Sequence, residues 1–282
     1  MRRDPPRQRR GPYGLEAEQA DARRSGKLRN HFSYADDGFP QPPLYVLREP
    51  KVLRQVFDGR VDSTLLGDLE ELTTRPLVIR TSAASGGSTL LPRSDVLHSP
   101  SEAAAWLIGP FAEEIKRRGI SADDVMLIAH HFIPALAAAF STGSPEKREV
   151  YIEALWGIPE GLYYYPCDAY LVDTLSPDAS DLSKRPKAKY EVREERRFKG
   201  EFVAPNADGR FVVSTTLRPW DWRSTISDKA VLRDIAHYTR LVAAREGNRS
   251  VAGSSPARGA THFGSLPETS VTVGQPRASR TM

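Results

Sequence analysis

A single cysteine, Cys167, stands among 282 residues, so the chain has no internal disulfide and no cysteine-built metal site. It also lacks any run of about 18 apolar residues, the length that a membrane-spanning helix needs. The basic opening MRRDPPRQRRGPYG has no apolar segment behind it and does not read as a secretory signal. No internal repeat is present. These absences predict a cytoplasmic protein in a reducing setting, with no membrane partner. Basic residues are also scarce where a nucleic-acid surface would need them. Residues 1–30 carry nine Lys/Arg against four Asp/Glu and residues 247–282 carry four against one, so the net +4 leaves residues 31–246 at about −4. The cationic excess sits at the two ends, and a nucleic-acid partner is not expected.

What is present is a globular composition, 39% hydrophobic and 27% charged. Residues 1–24, rich in Arg, Pro and Gln, read as a disordered basic tail. From 25 to 246 helical and strand patterns alternate, which predicts an α/β (α+β) domain. A short helix is expected over 27–35 and a strand over PLYVL (43–47). PKVLRQVF (50–57) and STLLGDLEEL (63–72) carry apolar residues at helical spacing. PLVIRTS (76–82) is an apolar strand that runs into a Gly/Ser loop, AASGGST. SEAAAWLIGPFAEEIKRRG (101–119) predicts one long amphipathic helix, with Ser101 as N-cap, a kink at Pro110 and a stop at Gly119. Four short strands follow, VMLIAHHF, ALAAAFST, REVYIEALWG and DAYLVDT. Beyond a polar loop over 177–187 come AKYEVREERRFKGEFV and RFVVSTT, and a helix over 228–245.

Chemistry concentrates first in SGKLRNHFSYADDGFPQPPLYVL (25–47). A glycine beside a lysine at a helix start attracts an anion, because the open N–H groups and the ammonium act together. Alone this signal is weak, since the phosphate-loop pattern G-x-x-x-x-G-K-[ST] is absent and a solvated lysine is the bland alternative. Order and spacing add to it. The segment resembles the opening of the nucleotide-binding domain of phosphoenolpyruvate synthase and pyruvate phosphate dikinase, G-G-K-G-x-N-L followed by a helix and G-F-P-x-P-P-x-x-x-V. Gly26, Lys27 and Asn30 match its first part, and Gly38, Phe39, Pro40, Pro42 and Pro43 its second. VIRTSA (78–83) is similar to that family's V-R-S-S-A strand. YIEALWGIPEGLYYYPCDAYLVD (151–173) resembles its I-E-A-x-W-G-L-G-E-G run and the P-D-x-Y-x-V-D strand. The resemblance covers roughly residues 25–246.

The resemblance implies an ATP-grasp fold of two lobes, at about 25–125 and 126–246, that binds ATP together with Mg2+. It places Lys27 and Arg80 on the nucleotide phosphates, which is sensible chemistry because fixed cations stabilise charge on phosphoryl oxygens. Arg93 is a candidate second phosphate cation. His130 stands where the family carries an adenine-side glutamine, with a structural His130–His131 strand pair as the alternative. Glu153 and Glu160 fall in the E-A-x-W-G-x-x-E run and are candidate ligands, Glu160 alternatively capping a turn, while Trp156 reads as core. The loop after Ala83 offers Gly86 and Gly87 as an anion nest or simply as a flexible connection.

The loop ASGGSTLLPRSD (84–95) lacks the family's E-D pair, and the larger departure from the family pattern lies at the C-terminal end. The strands x-x-E-W and Q-x-R-P, which supply magnesium-binding acids in the family, do not occur after the helix over 228–245. Asp221 and Asp228 are the nearby carboxylates, and neither lies in a matching motif. The resemblance therefore implies an ATP-binding domain that is incomplete at its C-terminus and inactive in phosphotransfer by itself. Two other readings stay open: an active enzyme completed by a partner chain or downstream domain, and a non-enzymatic interaction module that keeps the fold. Residues 247–282 read as a disordered, non-native tail. Within them RSVAGSSPARGA (249–260) is similar to what a transfer-RNA gene yields when read as protein.

Overall fold

The computed structural model describes residues 25–36, 41–83, 91–175, 190–246, 250–256 and 262–265. Its first half is built on a three-stranded antiparallel sheet of β1 (Tyr45–Leu47), β2 (Leu77–Ala83) and β3 (Val125–His131), in the order β1-β3-β2. Alternation along β2 and β3 splits their side chains between two faces. Leu77, Ile79, Leu127 and Ala129 pack with α2 (Pro50–Phe57), α3 (Ser63–Leu72) and the helix after residue 99 in the largest core. The opposite face carries Met126 and Ile128, covered by Leu28 and Phe32 of α1 (Gly26–Asp36). Arg80, Ser82 and His130 share that face by register, since Val78 pairs with His130, Arg80 with Ile128 and Ser82 with Met126.

The long helix expected over 101–119 is three pieces. These are α4 (Pro100–Trp106), a π turn (Leu107–Phe111) and α5 (Ala112–Arg117). Pro110 lies inside the π turn; it has no N–H to give the preceding turn, and a wider turn accommodates its ring. The N-cap is Ser99 rather than Ser101: its side chain accepts from the Glu102 N–H, and Pro100 takes the first helical position. Gly119, at φ +64°, ends the element as expected.

A six-stranded antiparallel sheet forms the second half. It contains β4 (Ala135–Thr142), β5 (Glu149–Trp156), β6 (Asp168–Asp173) and β7 (Glu191–Glu195), with α6 (Lys229–Glu246) on one face. Val150, Ile152, Ala154, Tyr170 and Val172 meet Leu232, Ile235, Ala236 and Val242 of α6. Tyr34 of α1 joins the same cluster, so α1 packs on both sheets. The remaining two strands correct the reading of the tail. Ser250–Pro256 forms β10, antiparallel to β4, and His262–Ser265 forms β11 beside it. The chain beyond 247 carries little β-branched pattern, and pairing with the open edge of β4 overrides its weak local preference. The readings that fall on 1–24, 37–40, 84–90 and 177–187 lie outside the described residues.

A hairpin, β8 (Glu201–Pro205) and β9 (Phe211–Thr215), joins the two halves. The Ile158 N–H donates to the Val203 carbonyl (2.9 Å) and the Val96 N–H to the Gly209 carbonyl (3.0 Å). Two glycines make this approach possible. At Gly157 (φ +79°) a Cβ would stand 2.1 Å from the Val203 oxygen, and at Gly209 (φ +79°) 2.4 Å from the Val96 oxygen. Behind the hairpin, Asp168 and Lys199 form a buried pair at 2.7 Å, and Asp168 also accepts from the N–H and hydroxyl of Thr225 at 2.8 Å each. That network fixes the connection from β7 to α6. Among the described residues no helix is long and apolar enough to cross a membrane.

Candidate functional site

Lys27 lies in the first turn of α1, and its Nζ donates to the Thr81 carbonyl at 3.0 Å. The Ser25 and Ser82 hydroxyls are 2.9 Å apart and hold the start of α1 against β2. This contact brings the helix N-terminus to the face of the sheet that carries Arg80. Burial and then the Arg80 charge lower the Lys27 ammonium to about 8. Both causes disfavour the charged form of a lysine.

Arg80 enters this space from the middle of β2. Its Nε is buried without a hydrogen-bond partner, and burial pushes its guanidinium below the usual arginine range, with Tyr163 opposing the shift. Arg93 stands beside it because the segment after 91 runs antiparallel to β2, pairing Arg93 with Arg80. The Ile79 N–H donates to the Ser94 hydroxyl and the Thr81 hydroxyl to the Pro92 carbonyl, and both bonds lock this register. Arg93 forms an ion pair with Glu160 and lies over the Phe211 ring, 4.4 Å from its centroid. Burial, then Arg80, bring Arg93 down to about 10, still charged at neutral pH.

His130 closes the same wall. Its Nδ1 lies 3.0 Å from the His131 carbonyl, which can only accept, so Nδ1 holds the proton and Nε2 is left as an acceptor. Burial first, then Arg80, push His130 down to about 4. The imidazole is therefore neutral at pH 7. Its neighbour His131 turns away to the Leu72 carbonyl and Arg75, which resolves the expected pair into two separate environments.

The sequence-derived candidates thus divide. Lys27, Arg80, Arg93, His130 and Glu160 are brought together; Glu160 reaches the site as the partner of Arg93, from the 3₁₀ turn Pro159–Tyr163. Glu153 is not brought into contact with the cations. It lies on β5 opposite Phe140, with the Cys167 Sγ 3.9 Å from its Oε1. Burial and then Glu153 push the Cys167 thiol up to about 12, so it stays a protonated, unreactive thiol. Trp156, expected in the core, is partly exposed; its Nε1–H donates to the Trp220 carbonyl at 3.1 Å.

Two aromatic residues escaped the reading of the sequence. Tyr163 contacts Phe140 at 5.1 Å between ring centroids and interacts electrostatically with Arg80, and Phe211 supports Arg93. Three consecutive tyrosines at 163–165 were the available signal for the first. Nothing local marks Phe211, which arrives through the hairpin.

The arrangement fits an anion. Three cations stand together, and among the described residues the carboxylates shown to act on them are Glu160, paired with Arg93, and Asp95, whose charge also favours that guanidinium. An unpartnered buried guanidinium nitrogen and an ammonium held below its usual range are groups that a phosphate oxygen satisfies. The donor set does not fit a magnesium ion. Such an ion takes oxygen ligands, usually carboxylates with substrate phosphates, and among the described residues no three of His, Cys, Asp or Glu converge to hold one.

No family model and no curated protein matches the sequence. Solved structures overlay on it in part. The ADP complex of an N5-carboxyaminoimidazole ribonucleotide synthetase is 12% identical with a TM-score of 0.41, covering 90% of this chain and 46% of that one. The D-alanine–D-alanine ligase from Bacillus anthracis is 11% identical with a TM-score of 0.40, covering 85% and 55%. The VanG D-Ala:D-Ser ligase from Enterococcus faecalis is 12% identical with a TM-score of 0.39, covering 87% and 52%. The chain spans about half the length of these structures, and the reading of the site rests on its own residues.

Proposed function

We propose that this chain is an ATP-grasp-like, ATP-binding unit of the phosphoenolpyruvate synthase and pyruvate phosphate dikinase kind. The observation that carries the proposal is the convergence of Lys27, Arg80 and Arg93 with their charge incompletely balanced. Lys27 and Arg80 take the phosphates and Arg93, braced by Glu160 and Phe211, supplies the second guanidinium. His130 offers a neutral acceptor for an amino group of the base. Tyr163, in ring contact with Phe140, acts electrostatically on Arg80.

Phosphoryl transfer needs more than these cations. Magnesium neutralises the phosphate charge in such reactions, and among the described residues no cluster of oxygen ligands stands ready for it. In this reading carboxylates from another chain or segment complete the metal site, and the unit alone binds nucleotide without consuming it. Thermal unfolding of the full chain tests the binding. ATP and pyrophosphate are expected to raise the midpoint as their concentrations rise, through linkage to the folded state, whereas adenosine is not. Phosphorus NMR of the same samples is expected to show intact ATP. A midpoint indifferent to both phosphates would defeat the reading.

A further inference from the structure

Helix α3 buries one stripe of its surface, Leu65, Asp68, Leu69 and Leu72, set three and four residues apart, while Leu66, Gly67, Glu70 and Glu71 are exposed. The three leucines belong to the core of the first half. Asp68 takes the remaining position of the stripe although it is only 6% exposed, and its Oδ2 is buried without a hydrogen-bond partner. Burial first, then Glu71 and Asp62, hold its carboxyl above the usual carboxylate range. Both of those neighbours are acidic, so neither answers its charge. A buried carboxyl in such surroundings costs stability unless it is paired, and a fourth leucine would serve the helix better.

A space for a partner lies beside it. Asp68 stands on the wall of a partly open cleft between α3 and the sheet, lined also by Tyr45 and Leu47 of β1, Ile79 of β2, Leu107 of the π turn, and Leu127 and Ala129 of β3. The cleft measures about 420 Å³ with its solvent-open part included, so its enclosed part suits a chain of a few carbons.

We infer that this cleft binds a short apolar amine, with its carbon chain between α3 and the sheet and its ammonium against the Asp68 carboxylate. Two observations select that chemistry. The apolar lining disfavours a ligand that is polar along its length, because each polar group would lose its hydration without gaining a partner. The unpaired carboxyl repels an anion and favours a cation, through a charge-assisted hydrogen bond stronger than a neutral one. This site is separate from the anion site. Side chains alternate between the two faces of the sheet, so Ile79, Leu127 and Ala129 line the cleft while Arg80, Ile128 and His130 lie on the other face. The inference therefore stands or falls without the nucleotide reading.

Thermal unfolding of the full chain with 3-methylbutylamine, 3-methylbutanol or 3-methylbutanoate tests it, with ligand-observed NMR of the same mixtures. The three compounds share one carbon skeleton and differ in the charge of the head group. The amine is expected to raise the midpoint as its concentration rises and to bind at least about 10-fold more tightly than the alcohol, while the carboxylate gives no shift. Asp68→Asn keeps the size of the side chain and should abolish the preference for amine over alcohol. Ala129→Leu fills the cleft from β3 with Asp68 intact and should weaken the binding of both. Equal binding of amine and alcohol would overturn the inference, as would an amine that leaves the midpoint and its own NMR signals unchanged, or one whose binding survives Asp68→Asn. Should Asp68→Asn fail to fold, amine binding undiminished in Ala129→Leu overturns it equally.

Discussion

Arg80 carries a positive charge beside Lys27 and Arg93, an arrangement that a bound anion favours. Replacing it separates function from stability. Arg80→Gln is expected to weaken ATP binding by about 10- to 100-fold, the worth of one or two charge-assisted hydrogen bonds. The same change should raise the denaturant midpoint of the free chain, because repulsion with Lys27 and Arg93 is relieved. Paired titration and unfolding curves check both signs. His130 gives a pH dependence of its own. The folded chain holds it at about 4, so the unfolded chain binds the extra proton between about pH 4 and 6.5, and stability rises with pH across that window. His130→Gln should flatten the rise in urea midpoints measured there. At this scale Lys27 and Arg80, named from a motif that fixed both residue and spacing, lie side by side. The sequence was silent about Phe211, because a residue delivered by a distant hairpin leaves no local trace.

The elements owe their positions to a few close contacts. Gly157 lets β5 run under the β8–β9 hairpin, and Gly157→Ala drives a Cβ into the Val203 carbonyl at a positive φ. A loss of about 3 kcal/mol is expected, with a weaker Arg93–Phe211 contact as the hairpin shifts. Gly67 is the contrasting case: it is exposed in the middle of α3 with open space around it. Gly67→Ala should therefore stabilise the chain by up to about 1 kcal/mol, read from the same unfolding curves. Legibility followed the same logic. Amphipathic helices such as α2 and α3 were readable because their apolar spacing is local. The N-cap moved to Ser99 because Pro100 is well suited to the first helical position, a preference that outweighs the serine two residues on.

For the whole molecule, the largest departure from the sequence reading is the segment after residue 247. Composition assigns it to a disordered tail, yet β10 pairs along β4 from Ser250 to Pro256. A partner edge supplies what local pattern lacks, and no reading of the segment by itself reveals that edge. Removal of residues 247–282 is expected to uncover β4 and promote self-association, seen as added mass in light scattering. A stable monomer after removal would show the pairing to be dispensable. The α/β plan was legible because helical and strand periods alternate along 25–246. The strands of the hairpin fall in segments read as strands, but its joining of the two halves was not legible, since those contacts run through backbone groups at Gly157 and Gly209.

If Lys27, Arg80 and Arg93 form one phosphate site, ATP titrated calorimetrically into the full chain binds there. At pH 8, where Lys27 is about half protonated, a bound phosphate draws the amine to its charged form. Saturable heat is expected, with uptake of about half a proton per ATP, resolved by comparing two buffers of different ionisation enthalpy. Lys27→Met should abolish the uptake and Arg80→Gln should weaken the binding. A folded chain that gives no saturable heat, or one whose binding and proton uptake survive both substitutions, would contradict that site.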